Sequence, residues 1–243
     1  MKHIPIKLLH AIFPPLCIGC NSLVSYYNTL CSDCFKLLQS PAYVCKICSV
    51  DLELDLESNV CASCINNNYH FNRLEYCFKY SELASKLLVQ FKHYKRFECN
   101  SLFTNWLNQK LQIVAKEEDI DIIIPIPISY RSLLNRSYNH SALIAKQLSK
   151  RSNLYYNPMI LYKKHVLKQS RLSLSKRKTN LKKAFYIPVK KQALINNKTI
   201  LLLDDVITTG NTIHYASKVL KKHGAKKVIV IALFKVAGTL KIK

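Results

Sequence analysis

The chain of 243 residues is 49% hydrophobic, enough to bury a sizeable core, and carries a net charge of +23. No apolar run reaches the ~18 residues of a membrane-spanning helix. The opening MKHIPIKLLHAIFPP is interrupted by His10 and has no small-residue cleavage site, so the expectation is a cytoplasmic protein without a transmembrane segment. Charge is distributed unevenly: residues 1–121 hold 12 Lys+Arg and 12 Asp+Glu, whereas residues 122–243 hold 25 and 2. That step predicts a small module, 1–68, ahead of a main domain, 69–243.

The first element in chain order is a cysteine module. Ten cysteines would fit a small secreted disulfide scaffold, but eight of them fall in four CxxC pairs: Cys17/Cys20, Cys31/Cys34, Cys45/Cys48 and Cys61/Cys64. Each CxxC turn aims two thiolates at one ion, and two turns complete a closed tetrahedron, so the pattern predicts two structural zinc sites. Sequential pairing and a cross-braced arrangement of first with third and second with fourth both satisfy the spacing. So short a segment, with few large apolar side chains, draws much of its folding energy from the metal. Cys77 and Cys99 sit in apolar contexts and read as ordinary buried thiols, with His70 as a spare ligand nearby.

Downstream the pattern changes. DIIIPIPI (121–128), TILLLDD (199–205) and KKVIVIALF (226–234) are short apolar runs without polar alternation, as expected of parallel strands covered on both faces. SYNHSALIAKQLSKR (137–151) reads as a helix facing the sheet with Leu143, Ile144 and Leu148. TIHYASKVLKKHGA places Ile213, Ala216, Val219 and Leu220 on one helical face and ends at Gly224, giving a βαβ unit and a parallel α/β domain.

Within LLLDDVITTGNT, Asp204 and Asp205 are the only carboxylates after Asp121. They lie at the carboxyl end of a strand, where open parallel sheets bind ligands. The VITTGNT turn that follows offers hydroxyls, a glycine and backbone N–H groups at a helix start, which suits a phosphate. An anion and a diol are the expected ligand groups, with the acids bonding sugar hydroxyls or approaching a magnesium ion. Reading the same stretch as a merely capped helix start leaves two adjacent aspartates unexplained.

LLLDDVITTGNT resembles the phosphoribosyl pyrophosphate (PRPP) signature of type I phosphoribosyltransferases, and its context resembles the ComF competence proteins. The resemblance extends over nearly the whole chain. It takes in DIIIPIPISYRSLLNRSYNHSALIAKQL, the stretch QSRLSLSKRKTNLKKAF with Gln169, Leu172, Arg177, Asn180 and Phe185, the four CxxC pairs as a double zinc ribbon, and Lys92 in LLVQFKHYK. Where that family has RGFNQ this chain has Arg136-Ser137-Tyr138-Asn139-His140, keeping the arginine and asparagine.

The resemblance implies a type I phosphoribosyltransferase-like parallel sheet flanked by helices. It implies PRPP or a related ribose phosphate bound by Asp204, Asp205, Thr208, Thr209, Gly210, Asn211 and Thr212, with pyrophosphate and Mg²⁺ at Ser129, Tyr130, Arg131 and Arg136. It implies no general base, and an activity that leans to pentosyl transfer with an unidentified acceptor. A loop over about Lys163–Asn180 would cover the site. Between residues 163 and 183 nine bases occur without an acid: Lys163, Lys164, Lys168, Arg171, Lys176, Arg177, Lys178, Lys182 and Lys183. This run reads either as a solvated segment or as a polyanion surface, and with Tyr155, Tyr156, Tyr162 and Phe185 interleaved it suits single-stranded DNA. Family membership implies natural transformation, with competence and DNA-uptake proteins as partners. The alternative is a phosphoribosyltransferase of nucleotide metabolism or salvage with no DNA role.

Overall fold

Five strands form a wholly parallel sheet in the order β1-β7-β6-β2-β3. They are β1 (Arg73–Lys79), β2 (Ile122–Pro125), β3 (Tyr155–Tyr156), β6 (Thr199–Ile207) and β7 (Lys227–Lys235), while β4 (Tyr162–Lys163) and β5 (Phe185–Tyr186) pair separately. The computed structural model describes residues 13–52, 59–66, 69–94, 96–136, 138–164, 184–240 and 242. The predicted bases Lys168, Arg171, Lys176, Arg177, Lys178, Lys182 and Lys183 lie outside the described residues, as does most of the expected covering loop. Among the described residues no helix is long and apolar enough to cross a membrane.

The apolar runs become β2, β6 and β7 because both faces of the sheet are covered. Alternate residues sort into two cores: Ile200, Leu202, Val228 and Val230 on one side, Leu201, Leu203, Ile229 and Ile231 on the other. Short helices α1 (Ser32–Lys36) and α2 (Ala62–Asn66) belong to the cysteine module. The helices α3 (Glu82–His93), α4 (Glu98–Val114), α5 (Tyr130–Arg136) and α6 (His140–Ser152) follow. Of these, α3, α4 and α6 bury Leu87, Phe103 and Ile144 on the second face. After α7 (Val189–Gln192), helix α8 (Asn211–Lys222) buries Ile213, Ala216 and Leu220 on the first face.

This division positions the site. The crossover from β6 through α8 steps toward β7, and the one from β2 through α6 steps the opposite way toward β3. Right-handed crossovers that step in opposite directions must cover opposite faces. The adjacent strands β2 and β6 therefore diverge at their carboxyl ends and leave a crevice there, the switch point of an open α/β sheet.

The strand carrying the two aspartates runs further than expected. Asp204 pairs with Ala232, and the ladder continues through Val206 and Ile207 opposite Phe234 and Lys235. The acids thus sit within a hydrogen-bonded strand that holds them still. The cysteine module straddles the β1 edge: Cys17 and Cys34 join the core under α3 and α4, whereas Cys45, Cys48, Cys61 and Cys64 join the core on the α8 face.

Candidate functional site

Two tetrads of thiols close without any rearrangement. Cys17, Cys20, Cys31 and Cys34 form one group and Cys45, Cys48, Cys61 and Cys64 the other, the sulfurs of each lying within 4.8 Å of one another. The pairing is sequential, which resolves the ambiguity of the spacing. Cys20–Cys31 and Cys48–Cys61 sulfurs are 3.6 Å apart and Cys45–Cys64 sulfurs 3.7 Å. A tetrahedron with metal–sulfur bonds of about 2.3 Å has edges of about 3.8 Å, so both tetrads fit zinc.

Backbone N–H groups point at the sulfurs, from Cys31 to Cys17 at 3.2 Å and from Cys61 to Cys45 at 3.3 Å. The Cys34 N–H pulls Cys31 down to about 6, while burial and neighbouring thiols push Cys34 up. In the second tetrad burial pushes Cys48 up to about 12. Four thiolates this close need a cation to ionise together, which is what a structural zinc supplies. His70 joins neither tetrad and lies against His214, with ring centroids 4.7 Å apart. Cys77 and Cys99 are buried thiols whose acidity burial suppresses, to about 12 and about 11.

At the switch point, a cleft of about 220 Å³ is floored by Ile126, Pro127 and Ile128 after β2 and walled by Asp204, Asp205 and Thr212. It continues into a small hollow over the turn, touched by Thr208, Thr209, Gly210 and Thr212. Gly210 has φ +80, a left-handed conformation that a side chain resists, and Leu240 packs so closely that a Cβ there would meet its Cδ2 at 2.9 Å. Gly210 then caps α8, and the Asn211 amide donates to Thr209 Oγ1 at 3.0 Å. The first N–H groups of α8 have no partner within the helix and face the hollow with its positive dipole end, a site for a phosphate.

The two carboxylates are treated differently. Successive strand residues face opposite sides of the sheet. Asp205 meets Lys92 from α3, Nζ to Oδ2 at 2.5 Å. Asp204 makes no salt bridge among the described residues. Its Oδ1 accepts the Asp205 N–H at 2.9 Å. Burial, followed by the Asp205 charge, pushes Asp204 up to about 7, and the more distant charges of Lys92 and Lys163 offset only part of this. Lys163 itself lines the cleft from β4, its own acidity raised by burial and its Nζ 5.4 Å from the centre of the Phe185 ring. An uncompensated, half-buried carboxylate beside a neutralised one gains most from hydroxyl donors or a cation.

The other predicted residues are placed unevenly. Ser129 caps α5, its Oγ 2.9 Å from Ser132 Oγ and accepting the Ser132 N–H at 3.3 Å. Tyr130 and Arg131 are exposed on that helix, and none of the three lines the cleft. Arg136 ends the helix. Lys164 is exposed with its Nζ 5.5 Å over Tyr186, which stacks on Tyr162 at 5.5 Å, and Lys191 caps Tyr162 at 5.3 Å. Tyr156 and Phe185 pack into the cores, whereas Tyr155 is exposed.

Lys92 and Asn139 are among the cleft residues not foreseen as site residues, with His140, Ser141 and Val206 beside them. Lys92 stood out only as part of a resemblance, because its pairing with Asp205 across the fold has no local signature. Asn139 donates its amide to Ile126 O at 2.9 Å, leaving a buried Oδ1 without a hydrogen-bond partner among the described residues at the cleft wall. An asparagine opening the helix after a proline-spaced strand was its only sequence signal.

Comparison with known proteins matches residues 8–79 to the double zinc ribbon domain and residues 139–242 to the phosphoribosyl transferase domain. The chain is 30% identical to "Competence protein F" of Haemophilus influenzae, over 89% of this chain and 95% of that protein. It is 26% identical to "DNA utilization protein YhgH" of Escherichia coli K12, over 90% and 96%. It is 24% identical to "Competence protein ComFC" of Bacillus subtilis, over 80% and 79%.

Proposed function

The chain belongs to the ComF family of competence proteins, and from that premise we propose that it serves natural transformation as a DNA-uptake factor with a phosphoribosyltransferase-type cleft. The cleft takes PRPP or a related ribose phosphate. The observation that carries this is the pair of adjacent carboxylates in one rigid strand, Asp205 bound to Lys92 and Asp204 without a salt bridge among the described residues, followed directly by the turn that opens α8.

In this reading the 5-phosphate rests on the turn Thr208–Thr212, taking N–H and hydroxyl donors. Asp204 and Asp205 accept the ribose hydroxyls, and the ion pair with Lys92 orients Asp205. The segment from Ser129 through α5 to Arg136 meets the pyrophosphate. Asp204 is the protein residue that would hold a magnesium ion here, and such an ion would supply charge neutralisation for the pyrophosphate. Reaction at C1 asks for charge neutralisation and positioning, and the geometry supplies both without a base.

The Tyr162–Tyr186 stack flanked by Lys164 and Lys191 suits a single strand held by phosphate contacts and base stacking. Transformation frequency in a strain carrying Asp204→Asn and Asp205→Asn in place of the wild type tests the proposal. Loss of transformation with normal protein levels supports it, and full transformation refutes a role for the cleft.

A further inference from the structure

Between Ile207, which ends β6, and Asn211, which begins α8, the phosphate turn consists of Thr208, Thr209 and Gly210, which belong to neither element. Gly210 is the most permissive residue type, placed where the turn aims the first N–H groups of α8. A turn built this way needs support from outside its own sequence.

The end of the chain supplies that support. Strand β7 runs beside β6 and stops level with it, Lys235 opposite Ile207. The Val236 N–H then donates to Ile207 O at 2.9 Å. Gly238 turns the tail with φ +95, and its carbonyl accepts from Lys235 Nζ at 3.0 Å. Lys235 is 3% exposed and its ammonium lies 5.6 Å from the centre of the Tyr76 ring, so it anchors the tail from within the fold. Leu240 follows, 6% exposed, in the same buried cluster as Ile207 and Ile213 on either side of the turn. A Cβ on Gly210 would meet Leu240 Cδ2 at 2.9 Å and its Cδ1 and Cγ at 3.3 Å. The end of the leucine side chain thus fills the space that a side chain of residue 210 would take.

We infer that Leu240 is a positioning residue for the ribose-phosphate site: it supports the phosphate turn from the core side, with Lys235 fastening the tail that carries it. The inference rests on reading the cleft as a ribose-phosphate site. Leu240 lines neither the cleft nor the hollow over the turn, so it acts through Gly210. Without it the glycine turn samples more conformations, and a phosphate must order the turn as it binds, which weakens affinity.

The test is isothermal titration calorimetry of ribose 5-phosphate, and of PRPP with Mg²⁺, into the full-length zinc-loaded protein at a temperature where circular dichroism shows each variant folded. Leu240→Ala opens the space behind the turn, Leu240→Val opens less of it, and Leu240→Met refills it. Ile195→Ala truncates a residue of the same core that lines neither hollow, and controls for lost packing alone. The expected result is a loss of affinity for both ligands of about tenfold in Leu240→Ala and about threefold in Leu240→Val, with Leu240→Met and Ile195→Ala within about twofold of wild type. Should Leu240→Ala not fold, Leu240→Val carries the same comparison. Two results overturn the inference where the wild type binds: wild-type affinity in the Leu240→Ala and Leu240→Val proteins, or an equal loss in Ile195→Ala. A wild type that binds neither ligand overturns the ribose-phosphate reading, and the positioning role with it.

Discussion

Asp204→Asn should strengthen the fold while disabling the site. In the folded protein burial and the Asp205 charge push Asp204 up to about 7, from about 3.9 in an unfolded chain. The folded state therefore holds this proton more tightly, and its contribution to stability falls as pH rises from about 4 to about 7, staying low above that. At 1.36 kcal/mol per unit the shift corresponds to about 4 kcal/mol, which partial exposure and sharing of the repulsion with Asp205 reduce to about 2 kcal/mol. Asparagine keeps the shape and can still accept the Asp205 N–H, but carries no charge. Urea denaturation of the zinc-loaded protein should show Asp204→Asn about 2 kcal/mol more stable than wild type near pH 8 and equal to it near pH 4. The same variant should lose its response to PRPP and Mg²⁺. A variant no more stable than wild type near pH 8, or one whose advantage does not change with pH, would refute the reasoning.

Gly210→Ala forces a Cβ into a left-handed residue against Leu240. Calorimetry should show a loss of about 1–2 kcal/mol in stability and a weakening of PRPP binding of about tenfold or more. Cys45 is wholly buried in the α8-side core while Cys20 is exposed. Cys45→Ser should therefore lower the melting temperature more than Cys20→Ser, and a strong chelator should lower the wild type toward the Cys45→Ser value. Affinity for single-stranded DNA should fall steeply with salt, and Lys164→Ala should reduce the slope of log K against log salt by about one.

How much of this was legible follows from where each interaction sits along the chain. The β6–α8–β7 unit could be read because strands buried on both faces are continuous apolar runs and the intervening helix keeps its own period. The thiol pairs were legible as ligands, but their grouping was not, since both groupings satisfy the spacing and only the sulfur positions distinguish them. Strand β1 was missed. Its residues RLEYCFK mix charge and apolar character, and it joins the sheet at an edge through β7, far along the chain. The end of β6 was set too early because the charges of Asp204 and Asp205 suggest a strand end, whereas pairing with β7 extends it to Ile207.

Within the site, the phosphate turn and its two acids are a contiguous motif and stood out at once. Lys92, Lys163 and Asn139 come from three other elements, and their convergence depends on crossovers that no local pattern reveals. Lys163 shows the limit of composition: it belongs to a basic run, yet it lines the cleft together with Asp204 while its neighbour Lys164 is exposed.

The most direct test of a ribose-phosphate cleft is thermal denaturation of the full-length zinc-loaded protein with PRPP and Mg²⁺, beside Asp205→Asn. At a ligand concentration of 100 times Kd the stabilisation is about 2.7 kcal/mol, or about 5–10 °C for a chain of this size. The predicted result is such a shift in the wild type and none in Asp205→Asn. An unchanged melting temperature at millimolar PRPP, or an equal shift in both proteins, would contradict it.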